Sequence, residues 1–343
     1  MNLDTLRKKR VKRKGTKTTA YTGQRHIFNI LDRATRKFHG DLGLWMQYIE
    51  YARSQKANKK LTKLLTEVIR MHPTKPEVWI YAARYAMDVQ ADANAARSYM
   101  QRGLRFNQRN RTMYLEHARL EMGYIAKLSA RRKILGIDSA TSEVASLPAD
   151  SAQALDDQSD MIALPTYTAE DLAEQGEDGI SRDTTQALSG EDPLAKLLSG
   201  AIPLAIFDNA MQQFGSPIDL AEQFYTMFTV FTRISALPLI LQRVLDSMVA
   251  TAADSPFTQS CFCRQPLAGL SIDDPTFPVA MGDVLKRIRS SLAASSDKAT
   301  FAKKVSDWLA VLAADEQMAP ELKQVIAVTL KQLAKQTTDG AQP

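Results

Sequence analysis

The side chains of this 343-residue chain that could do chemistry are few and dispersed. Its four histidines, His26, His39, His72 and His117, stand too far apart in sequence to pair as metal ligands. His39 and His72 follow helical stretches, where an imidazole can hydrogen-bond terminal carbonyls. The two cysteines form one Cys261-Phe262-Cys263 motif with no second Cys or His pair nearby, so a four-ligand zinc site is not expected. That spacing does not suit a disulfide framework and points to a reducing compartment. The sequence has no GxxxxGK[ST] phosphate loop, no GxGxxG following a strand and no GxSxG elbow. Catalysis needs converging titratable groups, and acids in the first third are few and single. The expectation is a protein that is not an enzyme, with no metal, no cofactor and no small-molecule substrate.

Positive charge is what the sequence does concentrate. Residues 1–137 hold 30 Lys/Arg against 10 Asp/Glu, whereas 138–192 hold 14 acids and one base, Arg182. One basic run is Arg7, Lys8, Lys9, Arg10, Lys12, Arg13, Lys14 and Lys17. Its density reads as a nuclear-import or RNA-contacting arm rather than a merely solvated run. A second cluster is Arg97, Arg102, Arg105, Arg109, Arg111, Arg119, Lys127, Arg131, Arg132 and Lys133, many of them expected on exposed second-helix faces and turns. Such residues bind phosphates with salt-dependent, sequence-blind affinity. RNA and acidic protein surfaces are equally good partners for this cluster. The arm and Arg131, Arg132 and Lys133 are the candidate contact residues.

These cations ride on a repeat. Leu44-Trp45-Met46-Gln47-Tyr48-Ile49-Glu50-Tyr51-Ala52 aligns with Val78-Trp79-Ile80-Tyr81-Ala82-Ala83-Arg84-Tyr85-Ala86 at a spacing of 34 residues. A third copy puts Tyr114 in the tryptophan slot, 35 residues after Trp79. Large residues at i, i+3 and i+6 lie close to one helix face. Between the copies, Arg33-Ala34-Thr35-Arg36, Glu67-Val68-Ile69-Arg70 and Arg102-Gly103-Leu104-Arg105 mark a second helix, each followed by a break at His39-Gly40, His72-Pro73-Thr74 or Asn107-Gln108. The unit is helix A, loop, helix B, turn, and such pairs bury their apolar faces by stacking. Trp45, Tyr48, Tyr51, Trp79, Tyr85 and Tyr114 are read as the repeat core.

The domain order expected is a basic arm (1–22), the repeats (23–137), an acidic linker (138–192), a C-terminal helical region (193–336) and a tail (337–343). The linker has too little apolar surface to offset its ordering entropy and is read as disordered, apart from a short helical stretch around Ala169–Glu174. Helices are predicted near Pro203–Met211, Leu220–Phe231, Leu237–Val249, Val279–Leu292, Phe301–Leu312 and Glu321–Lys335, with a loop over roughly 251–280. No 34-residue echo continues here, which fits either degenerate repeats or a separate helical domain. Residues 1–17 lack the apolar core of a secretory signal. The apolar stretch Phe224–Ala250 is broken by Arg233 and Arg243, short of the about 20 uninterrupted residues a bilayer requires. A soluble intracellular protein with no membrane partner is expected.

At Trp45-Tyr48-Tyr51 and Trp79-Ala82-Tyr85 the sequence resembles the half-a-tetratricopeptide (HAT) family, whose helix A carries a W-x-x-Y-x-x-Y/F triplet followed by an acid. Tyr114-His117-Leu120-Glu121 keeps the acid and replaces the aromatics. The resemblance implies an all-α fold of HAT/TPR-like helix-turn-helix repeats stacked into an α-α superhelix. HAT proteins cluster in RNA-processing complexes, and an adaptor of splicing or mRNA 3′-end machinery is the alternative reading. A closer resemblance runs through Asn2–Arg10, Thr35-Arg36-Lys37-Phe38, Gly103-Leu104-Arg105-Phe106-Asn107, Tyr124–Leu128 and Arg131–Gly136, and more weakly through Gly200–Asp208. It is to the U-three small-nucleolar-RNA-associated protein six family. This implies a non-catalytic scaffold of the nucleolar small-subunit processome, supporting maturation of small-subunit rRNA. Its partners would be UTP-B type subunits including WD-repeat proteins, with snoRNA and precursor rRNA contacted directly or indirectly. Family members carry a further helical segment before the basic run, and Met1 falls where that run begins, so the resemblance implies an N-terminally shortened member.

Overall fold

The computed structural model describes residues 5–6, 9–10, 12–13, 15, 18–135, 197–232, 234–315 and 318–339. The acidic linker expected over 138–192, with its short helical stretch, lies outside the described residues. Among those that are described, every regular element is a helix, as the repeat pattern requires of an all-α protein. Contacts divide the chain into two units, Met1–Leu120 with Ala210–Gly215, and Glu121–Asn209 with Ser216–Pro343.

The first unit contains α1 (Thr18–Lys37), α2 (Leu42–Ser54), α3 (Asn58–Met71), α4 (Pro76–Asp88), α5 (Ala93–Phe106) and the start of α6 (Arg111–Ile134). Connections of three or four residues force successive helices to run antiparallel. Their starts are encoded locally. The Asp41 carboxylate accepts from the backbone N–H groups of Gly43 and Leu44 at 2.9 and 3.3 Å, and Asp92 accepts from Ala95 at 2.9 Å. Pro76 opens α4, where its missing N–H has no helical partner to lose. Lys56 and Ala91, 35 residues apart, take the same left-handed backbone (φ 54° and 56°) in the two A-to-B loops.

The stack is held by apolar faces. On α3, Leu61, Leu64, Leu65, Val68 and Ile69 are all buried, each stabilising by about 1.5–3 kcal/mol. Ala82, Ala83 and Ala86 on α4, with Ala96 and Gly103 on α5, keep the facing surfaces small and let the two helices approach closely. Residues 210–215 join this unit from far along the chain, and Phe214 packs edge-on against Tyr114 with ring centroids 5.5 Å apart.

The second unit contains α7 (Ala201–Phe214) over its first nine residues, then α8 (Ile218–Thr229), α9 (Leu237–Ala252), α10 (Pro256–Arg264), α11 (Phe277–Ala294), α12 (Lys298–Ala313) and α13 (Pro320–Asp339). Phe207, Phe224 and Phe228 form an aromatic core where α7 and α8 meet. Met281, Val284, Ile288, Phe301, Val305, Leu309, Ile326 and Leu333 form a second core beneath α11–α13. The loop expected over 251–280 is corrected: it contains α10 and a 3-10 turn over Gln265–Leu267. The buried residues of α10 include Thr258, Ser260, Cys261 and Cys263, so a small polar face replaces the apolar period by which sequence reading finds a helix.

Candidate partner-binding surface

Each repeat tryptophan does two jobs at once. The Trp45 ring is 4% exposed and the Trp79 ring 1%, and each indole Nε1 donates 2.9 Å to a carbonyl six residues earlier, that of His39 or Pro73. The same carbonyls accept a second hydrogen bond from the following B helix. His72 Nε2 donates to the His39 carbonyl at 3.0 Å, and Asn107 Nδ2 donates to the Pro73 carbonyl at 3.0 Å. Each B-to-A turn is thereby locked to its own helix A and to the end of the next helix B. The His72 bond reaches 33 residues back, to a carbonyl of the preceding repeat.

Tyr48, Tyr51, Tyr85 and Tyr114 are buried. The Tyr48 hydroxyl donates to the Asp32 carboxylate, which also pairs with Lys60 Nζ at 3.0 Å. Burial first, then Asp32, drives the Tyr48 phenol far above its ordinary range. Lys60 Nζ also lies 4.5 Å from the centroid of Phe28, so its charged head meets both a carboxylate and a ring face.

The candidate basic residues divide by position. Lys9, Arg10, Lys12 and Arg13 of the arm are exposed, while Arg7, Lys8 and Lys14 lie outside the described residues. Arg131 and Lys133 are exposed and Arg132 is half-buried in the last turn of α6, where a helix terminus favours cations. Many cations of the second cluster were expected on second helices and turns, and Arg119 within the third helix A; Arg119, Lys127 and Arg131–Lys133 all lie on one helix. That helix is α6, a 24-residue helix A that runs on past the repeat length. Several members of the cluster are engaged internally. Arg119, together with Arg84 from outside the cluster, bonds the half-buried Glu116, Arg102 sits over the Trp79 ring and Arg111 sits over Phe214. Arg36, Arg70 and Arg105 remain exposed, each in the last turn of a B helix.

The residue types most suited to covalent or metal chemistry are placed against it. Cys261 and Cys263 are fully buried, free thiols two residues apart on one helix, which turns their side chains away from each other. Burial pushes the Cys261 thiol up to about 12 and raises Cys263 as well, so neither presents a thiolate at neutral pH. Among the described residues no three His, Cys, Asp or Glu side chains group as metal ligands, and no helix is long and apolar enough to cross a membrane.

The stacked antiparallel hairpins, the repeated carbonyl lock and the basic helix ends define a helical-repeat protein with an exposed cationic surface. No family model matches the chain. Its homologues are curated proteins named U3 small nucleolar RNA-associated protein 6. The chain is 33% identical to the Schizosaccharomyces pombe protein over 239 residues, covering 67% of the chain and 48% of that relative. It is 28% identical to the human homolog over 107 residues, 31% of the chain and 18% of the relative. It is 24% identical to the Dictyostelium discoideum homolog over 237 residues, 66% of the chain and 36% of the relative. The chain therefore spans about half the length of the fission-yeast relative, which it covers to 48%.

Proposed function

We propose that this chain is a non-catalytic scaffold subunit of the nucleolar small-subunit processome, supporting maturation of small-subunit rRNA from its precursor. The observation that carries the reading is the 33% identity over 239 residues to a protein named for its association with U3 small nucleolar RNA. Two further facts support it. Helical-hairpin stacks offer extended surfaces for partner segments. The exposed cations of the repeats and arm suit a phosphate-rich environment. On this reading the partners are UTP-B type subunits, WD-repeat proteins among them, with snoRNA and precursor rRNA close by, and the protein works in the nucleolus.

Affinity purification of the tagged chain from nuclear extract tests this directly. Precursor small-subunit rRNA, U3 snoRNA and WD-repeat proteins should be recovered together. Recovery of splicing or 3′-end factors in their place overturns the assignment. Within that assay, Glu at Arg131, Arg132 and Lys133 should lower incorporation while leaving the circular dichroism spectrum unchanged. Wild-type incorporation of this variant removes the α6 terminus from the contact surface.

A further inference from the structure

Helices α1, α3 and α5 alternate with antiparallel partners, so their C-terminal ends lie at one end of the first unit. The His72 and Asn107 bonds to the turns one repeat back tie those ends side by side. Here the repeat places arginines in matching positions, Arg36, Arg70 and Arg105, all exposed. Beside each stands a large apolar side chain that the core does not take. Phe38 is 56% exposed, Met71 44% and Phe106 58%.

A helix C-terminus explains a cation at these positions. It does not explain an exposed phenylalanine or methionine beside each one. One of the two aromatic rings is also held in place. Phe106 stacks on the buried Trp79 ring at 5.8 Å between centroids with 17° between planes, which fixes one face and leaves the other outward. Lys37 Nζ lies 5.3 Å from the Phe38 centroid. Exposed rings at two of the three steps, one of them stacked on a buried ring, with an arginine at every step, suit a chain that alternates flat bases with phosphates. An acidic peptide would satisfy the arginines and leave the flat faces without a matching group. The acids nearest in sequence are Asp32, which is bonded by Tyr48 and Lys60, Asp41, which is occupied capping α2, and Glu67 and Glu77.

We propose that this end of the first unit binds single-stranded RNA, with Phe38 and Phe106 as base-stacking platforms and Arg36, Arg70 and Arg105 on phosphates one repeat apart. The choice of RNA over DNA rests on the function proposed above; the stacking geometry does not.

The test is direct binding of an end-labelled oligouridylate to the full chain by fluorescence anisotropy across a salt series, with a duplex RNA of equal length and a polyglutamate peptide as separate probes. Phe38 is 56% exposed, and Phe38→Ala should weaken binding by roughly five- to a hundredfold, the range found for loss of one stacked base. Phe106→Ala should do the same, with its fold checked by thermal melting because it leans on Trp79. Changing Arg36, Arg70 and Arg105 together to Gln should reduce the slope of log affinity against log salt by about 2. Wild-type affinity in both phenylalanine variants overturns the proposal, even if the arginine variant binds more weakly. So does duplex bound as tightly as the single strand, or polyglutamate bound in place of RNA. These outcomes are distinct from those of the purification experiment, in which RNA can still be recovered through partner proteins when direct binding fails.

Discussion

Gly103 and Gly123 are both interior to helices, α5 and α6, and alanine at either gains about 0.8–1.0 kcal/mol of helix propensity. Their surroundings reverse the outcome at one of them. A Cβ on Gly123 would meet nothing within 4 Å. A Cβ on Gly103 would lie 2.7 Å from Met113 Cε, 2.9 Å from Trp79 Cγ and 3.0 Å from Trp79 Cβ. The methionine methyl is the end of a flexible side chain and can turn aside. The tryptophan atoms are the root of a ring that is 1% exposed, stacked on Phe106 and hydrogen-bonded to the Pro73 carbonyl, so relief requires α4 and α5 to separate. Overpacking of this kind costs about 1–3 kcal/mol and outweighs the propensity gain. Gly103→Ala should therefore destabilise by about 1 kcal/mol, while Gly123→Ala stabilises by about 0.5–1 kcal/mol. With a urea dependence of about 1–3 kcal/mol per molar, the two unfolding midpoints should move in opposite directions by roughly 0.5 M. Urea titration followed by far-UV circular dichroism reads both. A Gly103→Ala midpoint raised as far as that of Gly123→Ala would refute the close packing of α5 against Trp79.

Trp79→Ala removes a fully buried ring and should cost about 3–5 kcal/mol, seen as loss of the cooperative thermal transition of the repeats. Asn107 still bonds the Pro73 carbonyl in that variant, so the loss is mainly one of packing; an unchanged melt would defeat the core assignment. Tyr225 predicts a pH effect. Burial, with Cys261 adding to it, raises this phenol above its ordinary value of 10.0, so the folded state keeps a proton that the unfolded chain has released. Stability should fall as pH rises past that value, and Tyr225→Phe should flatten part of the decline in unfolding free energy measured up to about pH 11. A decline of equal slope in the variant would remove Tyr225 as a cause.

How much of this was legible in the sequence follows from which interactions have a period. The A helices were, because Trp45-Tyr48-Tyr51 and Trp79-Tyr85 repeat at a spacing that only stacked helical hairpins explain. The later helices α7–α9 and α11–α13 were also legible, from apolar faces that each one carries by itself. Helix α10 was not, because its inward face is Thr258, Ser260, Cys261 and Cys263, types that read as loop unless their burial is known. The carbonyl lock was hidden for a different reason. One partner is a backbone oxygen, which has no letter in the sequence, and the other is His72 in one repeat and Asn107 in the next. Only their shared role as side-chain donors unites them. Gly103 aligns with Val68 and Ala34, so its sequence neighbours gave no sign that a ring comes so close. Phe38, Met71 and Phe106 fall between the aligned helix-B segments and the breaks that follow them, and an apolar letter at a helix end does not declare its exposure.

The lock also bears on how the repeats can work as a surface. A B-to-A turn held from two sides by Trp79 and Asn107, or by Trp45 and His72, fixes where the neighbouring B helix ends. Arg36 and Arg70 stand within three residues of those turns and Arg105 two residues before Asn107, so their spacing is inherited from the core and not from their own solvent-exposed side chains. A loose array would lose ordering entropy when it bound an extended partner. One whose contact points are set by buried tryptophans has met most of that cost on folding. Trp79 would then influence binding without touching the partner, by setting the distance between Arg70 and Arg105 and by giving Phe106 the ring on which it rests.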